Sequence, residues 1–142
     1  EGFGQALLAR IDRFKIRVAA ETSLGEQRGE PADEAARVEL GWPRLGTEIT
    51  PGETIPAGAG VTDLAVSFTK GCYPGQELVE RMDSRAADAP RSLRRLAVPV
   101  GAASGDPVLD DGDEVGVLTS VVGERALGWV KRASDVGEIV QF

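Results

Sequence analysis

The stretch Glu114-Val115-Gly116-Val117-Leu118-Thr119-Ser120-Val121-Val122-Gly123-Glu124-Arg125-Ala126-Leu127-Gly128-Trp129-Val130 holds two β-rich runs, 114–122 and 126–130, parted by glycine and charged residues. Runs of the same kind stand at 93–100, 108–109 and 138–142. Short β-branched and apolar runs separated by turn residues read as strands. Five of them in about fifty residues predict a small closed or partly closed barrel, a form that hides sheet edges. The acidic run Asp110-Asp111-Gly112-Asp113-Glu114 lacks the ligand spacing of a calcium loop and reads as a hairpin turn.

Working outward, the region before Pro90 has a different character. Ala6, Leu7, Leu8 and Ile11 recur at helical spacing, whereas Phe14, Ile16 and Val18 alternate with polar or small residues. This predicts a helix over about 4–12 and a strand to about 20. Residues 21–31 are polar and without period, a loop signal. Asp33 is placed to cap a helix through Glu34, Ala35, Ala36, Val38 and Leu40, closed by Gly41 and stopped by Pro43. Residues 44–60 hold too many glycines and prolines for a long regular element. Leu64, Val66 and Phe68 alternate with smaller or polar residues and predict a strand running into Lys70-Gly71-Cys72. Pro74 suits the first turn of a helix, with Leu78, Val79 and Met82 as its apolar face. A boundary falls near 86–91, dividing the chain into 1–88 and 89–142. The class is α+β.

Composition excludes several kinds of chemistry. Among 142 residues there is no histidine, so neither a Ser-His-Asp or Cys-His arrangement nor a His-containing zinc site can be built. A single cysteine, Cys72, excludes an internal disulfide and agrees with a reducing compartment. The formal charge of −7 weighs against broad nucleic-acid binding, which needs a basic surface. The local set Arg81, Arg85, Arg91, Arg94 and Arg95 reads as a solvated face paired with Glu77, Glu80, Asp83 and Asp88. No apolar run approaches the length needed to span a bilayer, so the expected address is the cytosol. The opening Glu1-Gly2-Phe3, directly before an apolar pattern, reads as the inside of a longer chain. Trp42 and Trp129 read as packing residues rather than platforms for bases.

The strongest chemical signal is Lys70-Gly71-Cys72-Tyr73-Pro74-Gly75-Gln76-Glu77. A thiol between a strand and a helix start, two residues from a lysine, is a candidate nucleophile or redox group, because both the lysine and the helix terminus favour thiolate. A lone thiol is also often a buried structural residue, and spacing alone leaves both readings open. Gly71 and Gly75 would let backbone approach a ligand or make a tight turn. Gln76 and Glu77 serve equally as helix-start residues or as hydrogen-bonding groups for a polar heterocycle.

This segment resembles the signature of the YgfZ family, Lys-Gly-Cys-Tyr/Phe-x-Gly-Gln-Glu, at every fixed position. Pro43-Arg44-Leu45-Gly46-Thr47-Glu48 with Ile55-Pro56 is similar to the preceding loop region of that family. Arg81-Met82, Arg91-Ser92-Leu93, Val115-Gly116, Thr119-Ser120 and Ala126-Leu127-Gly128-Trp129-Val130 are similar to its C-terminal part. The resemblance implies the end of a ferredoxin-like α+β middle domain, 1–88, followed by a small C-terminal β-barrel, 89–142, as in the aminomethyltransferase-like fold. In relatives three domains surround a folate-binding opening, and the N-terminal portion that supplies much of that pocket lies outside this sequence. It further implies a tetrahydrofolate-binding accessory protein that supports iron–sulfur cluster assembly or repair, and through it tRNA-modifying enzymes, rather than a true aminomethyltransferase. Cys72 would be the reactive thiol and Lys70 the group that lowers its pKa. Gly71, Tyr73, Gly75, Gln76, Glu77 and Arg81 would shape the folate side of the site. The implied partners are iron–sulfur proteins or cluster assembly factors, with no membrane and no direct nucleic-acid contact. The alternatives are a folate-dependent one-carbon transferase and a non-catalytic interaction module.

Overall fold

A computed structural model describes residues 2–14, 21, 23, 31, 33–84 and 89–142. The chain divides into two compact units, Glu1–Glu30 and Pro31–Phe142. In the first, the helical spacing of the sequence produces α1 (Gly2–Phe14), with Leu7 and Ile11 on an exposed apolar stripe. The strand expected after it lies outside the described residues apart from Phe14, which ends α1. The loop expected over 21–31 lies outside them in large part, as do residues 85–88 at the expected boundary.

The second unit is α+β. Its helix α2 (Glu34–Leu40) has the ends that the sequence predicts. Asp33 sits extended and its carboxylate accepts the Ala36 N–H at 2.7 Å, while Gly41 closes the helix at φ 77. That left-handed conformation suits glycine, and a side chain there would also meet Val140.

Five strands follow: β1 (Arg91–Ala97), β2 (Pro107–Asp110), β3 (Asp113–Val122), β4 (Arg125–Lys131) and β5 (Glu138–Ile139). They pair antiparallel in the order β2-β3-β4-β1-β5. Asp111 and Gly112, both at positive φ, make the two-residue turn joining β2 to β3, as the acidic run predicts. The expected barrel does not close. β2 and β5 are separate edges, and β5 holds only two residues, too short to carry a ladder round to β2.

Side-chain alternation gives the sheet two apolar faces. Leu96, Val108, Leu118, Ala126 and Val130 bury on one, covered by Val98, Ala102 and Val136 from the connections. Leu93 and Leu127 bury on the other, under Val38 of α2 and Val140 of the tail, with Trp129 and Phe142 alongside. A β-bulge between Leu118 and Ser120 changes which side β3 presents. Leu118 therefore joins the first cluster, whereas Ser120, opposite Leu127, turns toward α2.

What meets Ser120 is a buried ion pair. Arg37 and Glu48 are each 1% exposed and lie 3.0 Å apart. All five guanidinium N–H groups have acceptors: Glu34 takes two, and Trp42 O, Glu48 and the Ser120 hydroxyl take the others. The Glu48 carboxylate accepts from Ser120, Thr119, Arg37 and the Arg44 N–H. Its backbone carbonyl accepts the Trp129 indole N–H at 3.2 Å. Taking two charges out of water costs several kcal/mol per ion, and only complete satisfaction offsets it. At the rim, Glu34 bridges Arg37 and Arg44, each at 2.6 Å. The hydrogen bond from Arg37 is the main cause that lowers the Glu34 carboxyl from 4.5 to about 2. The same hydrogen bond raises Arg37 further above its ordinary range.

Among the described residues no helix is long and apolar enough to cross a membrane.

Two outcomes are expected from this network. Arg37→Ala strands a buried carboxylate and lowers stability by about 3–5 kcal/mol, while Arg37→Met with Glu48→Leu recovers much of that loss. Urea denaturation measures both, and a loss of under about 1 kcal/mol in the single variant would contradict a buried, fully paired charge. Because the folded-state pKa of Glu34 is depressed, its contribution is present above pH 4.5 and lost as pH falls toward 2. Glu34→Gln should therefore flatten the fall in stability across that window, as read by acid titration of the folded fraction.

Candidate functional site

The strand expected before the cysteine motif does not form. Thr62–Ala65 is instead a single helical turn, α3, with Ala65 N–H bonded to Val61 O at 2.8 Å and Val66 N–H to Thr62 O at 2.9 Å. Alternating residues make a strand only where another strand can pair with them. Among the described residues no neighbour does so, and Leu64 and Phe68 are 55% and 40% exposed. Residues 66–75 are irregular, and the next helix, α4 (Gln76–Ser84), begins two residues after Pro74 rather than at it. Gly75 caps it, accepting the Leu78 and Val79 N–H groups at φ 86, a conformation in which a side chain would be strained.

Cys72 is exposed, which removes the buried structural alternative. It stands four residues before α4, farther from the helix start than a helix beginning at Pro74 would have put it. The Lys70 ammonium lies 4.8 Å from the centroid of the Tyr73 ring, a cation–π contact worth about 0.5–1 kcal/mol at an exposed position. The Gln76 carbonyl accepts the Tyr73 N–H at 3.3 Å, and its NH2 donates to Glu80 at 2.5 Å. Lys70, Tyr73 and Gln76 are thus knit into one short segment around the thiol. The Tyr73 hydroxyl is buried with no hydrogen-bond partner among the described residues. Gly71 has neither positive φ nor a crowding neighbour. Glu77 and Arg81 are exposed on α4.

Among the described residues, the hydrogen bonds of residues 62–84 stay within 61–84, and Val61 N–H reaches back to Pro56 O at 3.2 Å. Farther along α4, Val79 and Met82 line a cavity of about 680 Å3, together with Thr62, Ser92 and the 139–142 tail. None of Lys70 through Glu77 contributes to it.

The arginines do not form one solvated face. Arg94 is 3% exposed and donates to Ser92 and to the carbonyls of Val136 and Arg132. Arg95, one residue on, points to the other side and pairs with Glu138 at 2.8 Å. Arg85 and Asp88 lie outside the described residues. Trp42 packs edge-on against Phe142 with centroids 5.1 Å apart, in line with a packing role. The sequence named Glu48 only within the loop that resembles the family's and gave no sign of its burial. Its one available signal was its place beside Thr47 in a glycine-rich turn, where a carboxylate ordinarily faces water.

An exposed thiol in this setting should react with an aromatic disulfide reagent in the folded chain at a rate within about threefold of the unfolded chain. Reaction slowed by more than about tenfold on folding would mean that the thiol is shielded. Compared with family models and with curated proteins, the sequence matches none of either.

Proposed function

We propose that the protein is an accessory factor of the YgfZ type, supporting the assembly or repair of iron–sulfur clusters and thereby the iron–sulfur enzymes that modify tRNA. One observation carries the reading: Lys70 through Glu77 meet each fixed position of the family signature, and they hold the single thiol out to solvent. In this reading the five-stranded sheet is an open version of the family's terminal barrel, residues 1–88 belong to its middle domain, and the site of action is the cytosol. Iron–sulfur proteins or assembly factors are the partners.

The chemistry follows from what one thiol can do. A cluster is held by four ligands, usually cysteine thiolates. Among the described residues no group of three or more His, Cys, Asp or Glu side chains could hold a metal ion. A cluster met by Cys72 would therefore take its other ligands from the partner, and an accessible thiol on a surface segment suits such a transient contact.

Tetrahydrofolate, which the resemblance implies, does not fit the described residues of this segment. Gly71 and Gly75 border open space, the Gln76 amide is taken up by Tyr73 and Glu80, and the cavity of about 680 Å3 draws on none of the motif. The folate link rests on the resemblance alone, and the role of Cys72 is argued without it. A second reading, a protein-interaction module, is favoured by the exposed apolar side chains of Leu64, Phe68 and Leu78 on either side of the thiol.

The test replaces the cell's own protein with Cys72→Ser and measures the tRNA nucleosides made by iron–sulfur enzymes. Cys72→Ser should lower them to the level of a strain lacking the protein, with folding unchanged. Levels equal to wild type would overturn the thiol's role. Loss in a Leu64→Ser, Phe68→Ser, Leu78→Ser variant but not in Cys72→Ser would favour the interaction module.

A further inference from the structure

A groove of about 530 Å3 opens between the 47–58 loop and the adjoining ends of β1 and β4, with Thr50, Thr54, Gly58, Arg91, Trp129 and Lys131 in its walls. Its charge is unusual for this chain. Antiparallel register sets Arg91 directly opposite Lys131, and both are exposed. Like charges facing each other across a strand pair destabilise it unless something negative sits between them. Arg37, Arg44, Arg95 and Arg125 all pair with carboxylates. Arg91 has no hydrogen bond or ion pair among the described residues, and Lys131 donates only to the neutral carbonyl of Glu114, at 3.0 Å.

Beside this pair of cations lies a fixed aromatic ring. Trp129 is two residues from Lys131 on the same face of β4, half-buried, its indole N–H held by Glu48 O. Gly58 keeps the space next to the ring open. A Cβ there would stand 3.3 Å from the indole and 2.8 Å from Arg91 O. The Glu48 carboxylate is saturated by its four donors and adds little field, which leaves Glu53 as the opposing charge in the wall.

We propose that this groove binds a small planar aromatic molecule carrying one anionic group, its ring against Trp129 and its charge between Arg91 and Lys131. The volume falls within the range of about 300–1,000 Å3 usual for small-molecule sites. A flat apolar wall with a few convergent polar groups is the usual make-up of such sites. A single charge suits two cations opposed by Glu53. The proposal is independent of Cys72 and of the function proposed above.

The test follows the indole N–H signals of Trp42 and Trp129 by NMR while naphthalene carboxylate is added to the full chain, with Trp42→Phe supplying the assignment. The Trp129 signal should shift saturably while that of Trp42 stays in place. Arg91→Gln with Lys131→Gln, both at exposed positions, should weaken binding at least about tenfold, through loss of two charge-assisted contacts. The uncharged carboxamide should bind more weakly than the carboxylate by a similar factor. No saturable shift at Trp129, or equal affinity in the double variant, or equal affinity for the carboxamide, would each overturn the proposal.

Discussion

The contact between Arg37 and Glu48 organises the unit from Pro31 to Phe142. It draws together four pieces of chain, of which only β3 and β4 are joined by a regular ladder: α2, the 42–54 loop, the bulged middle of β3 and the indole on β4. An apolar pair of similar volume could fill the same space, often with equal stability. What the charges add is exact partner choice. Arg37 has five donors and Glu48 accepts four bonds, and one arrangement of the loop satisfies all of them. The bulge in β3 is part of that arrangement, because it turns Thr119 and Ser120 toward the carboxylate while leaving Leu118 in the opposite core. Close backbone packing completes it: Gly60 lies so near Val140 O that a side chain has no room, and Leu93 N–H bonds Gly58 O at 2.8 Å.

The thiol segment is built on the opposite principle. Its hydrogen bonds are local, its apolar residues are largely exposed, and its longest helix offers Val79 and Met82 to a cavity rather than to a filled core. The proposed contact with a partner through the cysteine would fall on this lightly anchored, solvent-facing segment rather than on the locked sheet. Segments with few buried contacts open at low free energy, and binding regions are commonly drawn from them.

Local chemistry was readable in the sequence wherever one residue decides the outcome. Asp33 and Gly41 mark both ends of α2, Asp111-Gly112 marks the hairpin, and five β-rich runs became five strands. Outcomes that depend on a partner were not readable. The alternation of Leu64, Val66 and Phe68 is that of a strand, yet among the described residues no strand lies beside it, and a helical turn forms instead. Whether β2 reaches β5 depends on the length of an edge, which the pattern of five runs does not contain. Arg37, Glu48 and Arg94 were missed as interior residues for a related reason. A charged residue in isolation signals solvent, and only the assembled fold reveals the acceptors that let it be buried. At the site, the helix start was displaced from Pro74 to Gln76 by the turn at Gly75.

Native-state hydrogen exchange tests the contrast between these two parts most directly. The Trp129 indole N–H and the Arg44 amide, both bonded to Glu48, should exchange only through global unfolding, at the same free energy as the Leu93 amide in β1. The Tyr73 and Gln76 amides should exchange through local opening, orders of magnitude faster. If the Trp129 and Arg44 hydrogens exchanged as fast as those of Tyr73 and Gln76, the buried pair would not be what holds the unit together.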